Sequence, residues 1–271
     1  MKKRRGKFLF ILIIFFVLFG RRSHYISEVF QEINALKSMQ NIGQKNALDS
    51  LYSLQDENQD IAKILEHKSA YPSILLEMLS RNTDMTDYVL NYQENQGKVF
   101  SDTIGKVSVG EYPLLLQYDK RWGYGIYGDE VMAINGCGPT AVAVVIAGLT
   151  GRNDITPYDV ALYSYTNGYY QDGTSWSLFT KGVEYFGIKG TEIPLSKSAM
   201  IQELKQGHPI ICSMRKGDFT TTGHIIAITG MKEDKFIVRD SNSRKRSNQL
   251  WRYEEIEGQI KNLWAYQVIQ K

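Results

Sequence analysis

The sequence predicts an α+β fold in which helices pack on an antiparallel sheet, preceded by a small helical segment. Two observations support this prediction. Helical periodicity and helix-capping residues dominate the chain up to Leu204, and runs of β-branched residues follow from Pro209 onwards. Helices first and strands afterwards is the order typical of an α+β protein. The 271 residues, 43% hydrophobic and 23% charged, suffice for one sizeable core and an accessory segment.

Residues 1–25 are predicted to be a membrane anchor or a signal segment. Five basic residues precede twelve consecutive apolar residues, Phe8–Phe19, and Arg21 and Arg22 follow. This pattern is typical of a secretory signal or an uncleaved anchor. The poor cleavage context favours the anchor, and a cleaved signal, which would make the protein secreted, is the alternative. Because the more basic flank stays inside, we expect a cell-membrane protein with the bulk of the chain outside.

Residues 26–106 are predicted to be a polar, helical accessory region. Apolar residues repeat there at helical spacing, and Asn82 and Thr83 are typical helix-capping residues. No motif with chemistry is present, so packing on the following domain is the expected role.

Charge and motif content exclude several functions. Seven basic residues precede the first acid, Glu28, so the net charge of +3 belongs to the N-terminus and nucleic-acid binding is not expected. Metal-ligand spacings, phosphate loops and dinucleotide fingerprints are missing, so we expect no cofactor and no metal. The oligomeric state cannot be inferred from the sequence.

Cys137 is the candidate nucleophile of the second predicted domain, residues 107–271. It precedes the apolar run Ala141–Ala147, which predicts a buried helix with Pro139 in its first turn. A helix N-terminus favours an anion, and hence a reactive thiolate. The alternatives are a small buried residue or a disulfide with Cys212. Cys212 lies in a predicted core strand, which argues against the disulfide.

His224 is the candidate base, because it opens the apolar strand His224–Thr229. The other three histidines, His24, His67 and His208, are expected to be exposed. The strand turns back near residues 231–234. A hairpin centred on Lys232 brings Asp240 opposite His224, whereas one centred on Glu233 brings Asn242 there. Asp240 is preferred as the group that orients His224, with Asn242 in reserve.

These motifs resemble those of the bacterial bacteriocin-processing cysteine peptidases, which cut double-glycine leader peptides and belong to the papain-like superfamily. The resemblance rests on Gly-Cys-Gly-Pro-Thr at 136–140, on Gly-His-Ile-Ile at 223–226 and on an Asp sixteen residues after the His. It covers about residues 113–266 and is closest to stand-alone, secreted or anchored members.

The resemblance implies a papain-like fold and two further site features. Gln117, in a stretch similar to the start of these domains, would stabilise the oxyanion alongside a backbone N–H at Cys137. It lies twenty residues before Cys137, so residues 124–134 must fold away. Ser241 departs from the family, which often has Pro after the Asp.

The implied function is that of an extracellular, membrane-anchored cysteine peptidase acting on a peptide or protein through a Cys137–His224–Asp240 triad and a thioester. Two alternatives stay open. The same triad would suit an endopeptidase that cuts peptidoglycan crosslinks. A non-catalytic surface binding module could also keep the papain-like shell.

Overall fold

The computed structural model describes residues 42–270, together with Gln31, Asn34 and Lys37. The predicted anchor in residues 1–25 therefore lies outside the described residues. Within the described part, none of the helices combines the length and the apolar character needed to cross a membrane.

The first described elements form a helical segment. Its helices are α1 (42–52), α2 (Gln59–Glu66), α3 (Ser73–Arg81), α4 (Thr86–Leu90) and α5 (Tyr92–Asn95). Asn58 begins α2 by accepting hydrogen bonds from the backbone of Asp60 and Ile61, as an N-cap residue does.

The helical segment shares one hydrophobic core with the region that follows it. Buried residues of α2, α3 and α4 pack with residues 116–133, which lie just before Cys137. The rings of Tyr88 and Tyr124 stack with centroids 4.3 Å apart, and the Tyr88 hydroxyl donates to the Gly123 carbonyl over 2.9 Å. The two parts of the chain are therefore joined by buried apolar surface and not by a solvated linker.

A small hairpin and three helices lead to the sheet. The hairpin consists of β1 (Ile126–Tyr127) and β2 (Glu130–Val131), and α6 (Met132–Asn135), α7 (Cys137–Thr150) and α8 (Pro157–Thr166) follow. The Thr156 side chain and the Asp159 carboxylate cap α8 reciprocally. Gly151 caps the C-terminus of α7, and its φ of 68° lies in the left-handed region that favours glycine.

Six antiparallel strands form the main sheet in the order β3-β8-β4-β5-β6-β7. The strands are β3 (Ile188–Glu192), β4 (Ile210–Met214), β5 (His224–Lys232), β6 (Lys235–Arg239), β7 (Leu250–Trp251) and β8 (Ile260–Val268). Helix α9 (Lys197–Lys205) precedes β4, and the short helices α10 (Arg244–Ser247) and α11 (Tyr253–Ile256) flank β7.

Both faces of the sheet are covered, because its strands alternate between two cores. Ile211 and Ala227 pack with α7 on one face, whereas Cys212 and Ile226 pack with Met200 of α9 on the other. Since successive strand residues point to opposite faces, this alternation places α7 and α9 on opposite sides. The predicted α+β fold, with helices packed on an antiparallel sheet, is confirmed.

Residues 175–186 do not form one continuous α-helix. The chain forms two 3₁₀ helices there, Trp176–Phe179 and Gly182–Phe186. The Phe179 carbonyl accepts a hydrogen bond from the Tyr266 hydroxyl over 3.0 Å. A side chain of β8 thus takes the place of the backbone N–H that would bond to this carbonyl in an α-helix.

Candidate active site

Cys137 is the first residue of α7 and lines a cleft of about 670 Å³. The glycines beside it are needed for close packing. A Cβ on Gly136 would lie 2.4 Å from the Met132 carbonyl oxygen, and one on Gly138 would lie 2.7 Å from the Thr174 hydroxyl. The remainder of α7 is buried as far as Gly148, so the sheet and α8 hold the helix start in place. Both Cys137 and Cys212 are free thiols.

His224 lines the same cleft at the start of β5 and is 8% exposed. Its Nε2 donates to Asp240 Oδ1 over 2.8 Å. Nδ1 is the ring nitrogen left for Cys137, whose side chain is close enough to influence the protonation of His224. The structure therefore brings together the thiol, the imidazole and the carboxylate.

The β5–β6 hairpin does not have the register centred on Lys232, which would place Asp240 opposite His224. The observed pairs are Ala227 with Arg239 and Ile228 with Val238, and a bulge follows before Gly230. This register continues towards Asn242 and not Asp240. Because β6 ends at Arg239, the chain turns away and the Asp240 carboxylate reaches the ring from beyond the ladder.

Asn242 supports Asp240 and does not hold the imidazole. Its backbone N–H donates to Asp240 Oδ1 over 2.8 Å, while its side-chain Oδ1 is buried without a hydrogen-bond partner. Asn242 also lines the cleft.

The buried pair of His224 and Asp240 favours the ionised form of both groups. Burial opposes the protonation of His224, but the charge and hydrogen bond of Asp240 and the contact with Cys137 outweigh it and raise the pKa of His224 to about 10. Burial likewise opposes ionisation of Asp240, yet His224 and Arg246 lower its pKa. The site thus favours an imidazolium beside the thiol.

Arg246 is a site residue that cannot be distinguished by sequence from its basic neighbours, Arg244 and Lys245. Its Nε donates to Asp240 Oδ2, and its side chain is 25% exposed. Arg244 and Lys245, its neighbours, are exposed. The Ser247 hydroxyl accepts from the Asp240 backbone N–H over 2.8 Å, so the turn after β6 is held from several sides.

Gln117 reaches the cleft although twenty residues separate it from Cys137. The intervening residues fold away as β1, β2 and α6. Gln117 is 2% exposed, and its Nε2 donates to the Ala133 carbonyl over 2.7 Å.

Ser241 holds Gln117 by two hydrogen bonds. The Ser241 hydroxyl donates to Gln117 Oε1 over 2.8 Å, and the Gln117 backbone N–H donates to the Ser241 carbonyl over 2.9 Å. The hydroxyl identifies Oε1 as the acceptor end of the amide, and Nε2 faces the carbonyls of Ala133 and Ile134, 2.7 and 3.4 Å away. A proline at position 241 would lack the hydroxyl that Ser241 supplies.

The cleft walls come from both parts of the chain. One wall is the loop 217–223, which precedes His224, and another includes Thr174 and the half-exposed Trp176. Trp122 and Tyr127 are buried in the core and do not line the cleft. Helix α3 and Asn82 form a further wall, which the sequence of the helical segment did not predict. Within residues 42–270, no group of three or more His, Cys, Asp or Glu side chains is placed to hold a metal ion.

One family model matches more than half of the chain. The model described as Peptidase_C39 like family matches residues 109–271. Among the curated proteins, none matches the sequence.

Two solved structures are similar to parts of the chain. One is the peptidase domain of Streptococcus ComA, a bi-functional ABC transporter involved in a quorum sensing pathway, at 18% identity and a TM-score of 0.42, covering 59% of this chain and 100% of that one. The other is a putative C39-like peptidase from Bacillus anthracis, at 15% identity and a TM-score of 0.39, covering 62% of this chain and 100% of that one.

Proposed function

Because the chain belongs to the Peptidase_C39-like family, we propose that it is a cysteine peptidase that hydrolyses peptide bonds through Cys137, His224 and Asp240. The observation that carries the proposal is the 2.8 Å hydrogen bond between His224 and Asp240 in the cleft that Cys137 lines. A thiol, a base and a group that orients the base are the parts that nucleophilic acyl transfer requires.

In the first half of the reaction, the Cys137 thiolate attacks the scissile carbonyl carbon and forms a tetrahedral intermediate. The imidazolium of His224 gives its proton to the leaving amine, the C–N bond breaks, and a thioester remains on Cys137. In the second half, His224 takes a proton from water, the resulting hydroxide attacks the thioester, and the thiolate leaves. Asp240 keeps the ring oriented and stabilises its charged form.

The oxyanion of each tetrahedral intermediate needs hydrogen-bond donors. Gln117 Nε2 is the side-chain donor in this proposal, alongside the backbone N–H of Cys137. The buried position of Gln117 and its fixed amide support this role, since a preorganised donor costs no reorganisation during the reaction.

Attachment to the cell membrane through residues 1–25, with the catalytic part outside, belongs to the same proposal. The basic flank and the twelve apolar residues support it. Fractionation of cells that express the full chain, followed by protease treatment of intact cells, tests this part separately.

The direct test is activity-based labelling combined with digestion. The purified protein is treated with an epoxide inhibitor of cysteine peptidases, and a proteome-derived peptide mixture and purified peptidoglycan are offered as substrates. We expect labelling at Cys137 and new peptide termini, both lost in Cys137→Ala. Products from peptidoglycan alone would assign the crosslink-cutting alternative, and labelling without any cleavage would contradict the peptidase proposal.

A further inference from the structure

Helix α3 has two faces with different environments. Ile74, Glu77, Met78 and Arg81 line the cleft that also contains Cys137. Their spacing of three, four and seven residues is that of one helix face, which we call the α3 stripe. The other face carries Leu75, Leu76 and Leu79, which are buried in the core shared with the region before Cys137.

The α3 stripe lies outside residues 109–271, which match the family model. It is nevertheless tied to the catalytic residues. Asn82, at the end of α3, donates from Nδ2 to the Asn242 carbonyl over 2.8 Å, and the Asn242 N–H donates to Asp240 over 2.8 Å. Two hydrogen bonds therefore connect the stripe to the group that orients His224.

The length of the stripe suits a peptide. Ile74 and Arg81 are seven residues apart, which corresponds to about 10 Å along a helix. An extended chain rises about 3.3 Å per residue, so the stripe can contact about three residues of a bound substrate. A peptide that occupies the cleft beside Cys137 would meet this wall.

Arg81 is the more exposed of the two charged groups on the stripe. Its side chain is 47% exposed and that of Glu77 is 24% exposed, and their ion pair is long, at 3.9 Å. Among the described residues, Glu77 is the one ion-pair partner that Arg81 has. A guanidinium in this position is free to form two parallel hydrogen bonds with a carboxylate. Ile74, 38% exposed, adds an apolar contact at the other end of the stripe.

We propose that the α3 stripe is a substrate subsite in which Arg81 binds a carboxylate of an extended peptide. The inference rests on the proposed peptidase function and adds the class of substrate to it: peptides with an acidic group a few residues from the scissile bond. The carboxylate belongs either to an acidic side chain or to the peptide C-terminus.

The test compares cleavage by the full chain and by Arg81→Glu. Sites cut in a proteome-derived peptide mixture are identified by mass spectrometry, and the best site is synthesised as a pair of peptides that differ only by Glu or Gln. A second pair carries a free or an amidated C-terminus. We expect kcat/KM to favour the carboxylate peptide by about tenfold or more, and Arg81→Glu to abolish that preference. Arg81→Gln, which removes the charge without reversing it, should abolish it as well.

Lys205→Glu is the matched control, because Lys205 is an exposed basic residue in the last turn of α9, as Arg81 is in the last turn of α3. It makes the same charge change outside the cleft and should leave the preference intact. Thermal unfolding of each variant separates loss of the subsite from loss of the fold.

A binding measurement separates failure of the subsite from failure of the peptidase proposal. The same peptides, or Glu/Gln and free/amidated pairs of one fixed sequence where no site is cut, are labelled with a fluorophore and titrated with the Cys137→Ala protein, with and without Arg81→Glu, and anisotropy is recorded. Unchanged preference in the Arg81 variants overturns the subsite while the peptidase proposal stands. Arg81-dependent binding without cleavage by the wild-type chain supports the subsite and overturns the peptidase proposal. A preference for basic peptides, or neither binding nor cleavage, overturns the subsite.

Discussion

His224 Nε2 lies 2.8 Å from Asp240 Oδ1, and the two side chains are 6% and 0% exposed. A histidine and a carboxylate so deeply buried stabilise each other's charge, because water cannot screen them. The same bond fixes which ring nitrogen faces Cys137. Protonation, orientation and folding stability of the site therefore depend on one contact.

Replacing Asp240 by Asn should reduce kcat by roughly 10²–10⁴-fold, since the imidazolium loses its charged partner and its orientation. The pKa of His224, raised to about 10 in the wild-type protein, should fall. The alkaline limb of the pH–rate profile, expected near pH 10, should therefore move to lower pH. Measuring kcat across pH 5–11 would check this. An alkaline limb at the same pH in both proteins would mean that Asp240 does not stabilise the protonated form of His224.

The pair also makes stability depend on pH. Folding raises the pKa of His224 from its ordinary 6.5, so its contribution is complete below about pH 6.5 and is lost as the pH rises through about 10. Folding lowers the pKa of Asp240 from 3.8, so its contribution is present above pH 3.8 and is lost as the pH falls through the lowered value. The loss of unfolding free energy in Asp240→Asn should therefore be greatest between about pH 4 and 6.5. Urea unfolding at several pH values measures it, and a pH-independent loss would contradict the ion pair.

Alkylation should distinguish the two cysteines. Cys212 is fully buried in β4, and burial raises the pKa of its thiol well above the ordinary range. Iodoacetamide near pH 7 should therefore modify one thiol in the native protein and two in the unfolded protein. Mass spectrometry should locate the native modification at Cys137. Modification of Cys212 in the native protein, or persistent labelling of Cys137→Ala, would argue against Cys137 as the nucleophile.

Removing Arg246 should weaken the site through Asp240. Arg246→Gln leaves Asp240 Oδ2 without its charged donor, and we expect a loss of about 1–3 kcal/mol in unfolding free energy together with lower activity. Lys245→Gln removes an adjacent, exposed charge and is the control. Equal losses of unfolding free energy and activity in both variants would show that the effect comes from the change in net charge and not from the contact with Asp240.

Ser241 should act on catalysis through Gln117. Gln117→Ala is expected to lower kcat by about 10²–10³-fold, as loss of an oxyanion donor does. Ser241→Ala leaves Gln117 in place but frees its amide to turn, so a smaller fall in kcat is expected with the same pH profile. Ser241→Thr, which keeps the hydroxyl, should restore the rate. A Ser241→Thr variant as impaired as Ser241→Ala would contradict the role of the hydroxyl.

Asn82 should matter for activity although it lies far from the nucleophile in sequence. Asn82→Ala removes the hydrogen bond to the Asn242 carbonyl, at a cost of about 0.5–1.5 kcal/mol in stability. Activity should fall because the turn that carries Asp240 loosens. Asn95→Ala removes a similar bond of 2.9 Å to the Asn91 carbonyl, away from the cleft. A fall in activity as large in Asn95→Ala as in Asn82→Ala would identify a general effect on folding.

Local patterns were sufficient for the elements that carry the proposed site. Pro139 and the apolar run after it predict the start of α7, and the apolar run after His224 predicts β5. The bulge before Gly230 was not predictable, because it depends on how β5 and β6 pack and not on either strand alone. Asp240 was nevertheless the preferred partner of His224, and it forms the bond from beyond the end of the strand.

The contacts around the site could not be predicted in this way. Asn82 and Asn242 are 160 residues apart, and Ser241 and Gln117 are 124 apart. Such contacts follow from the tertiary fold, so the sequence indicates Gln117 and Asn242 as candidates without indicating their hydrogen-bond partners. The contact of Arg246 with Asp240 could not be predicted either, because the adjacent basic residues are exposed and the sequence does not distinguish Arg246 from them.

The core that the helical segment shares with residues 116–133 makes the two parts one packed unit. Cutting the chain before the family-matched region would strip cover from Leu116, Tyr118 and Val131, which are at most 5% exposed in the intact protein. The freed apolar surface would lie next to the helix start that carries Cys137, and it would favour aggregation. We therefore expect that grafting the region around Cys137 onto another protein, or exchanging it between relatives, requires the helices that supply this core, α2 to α4, to travel with it.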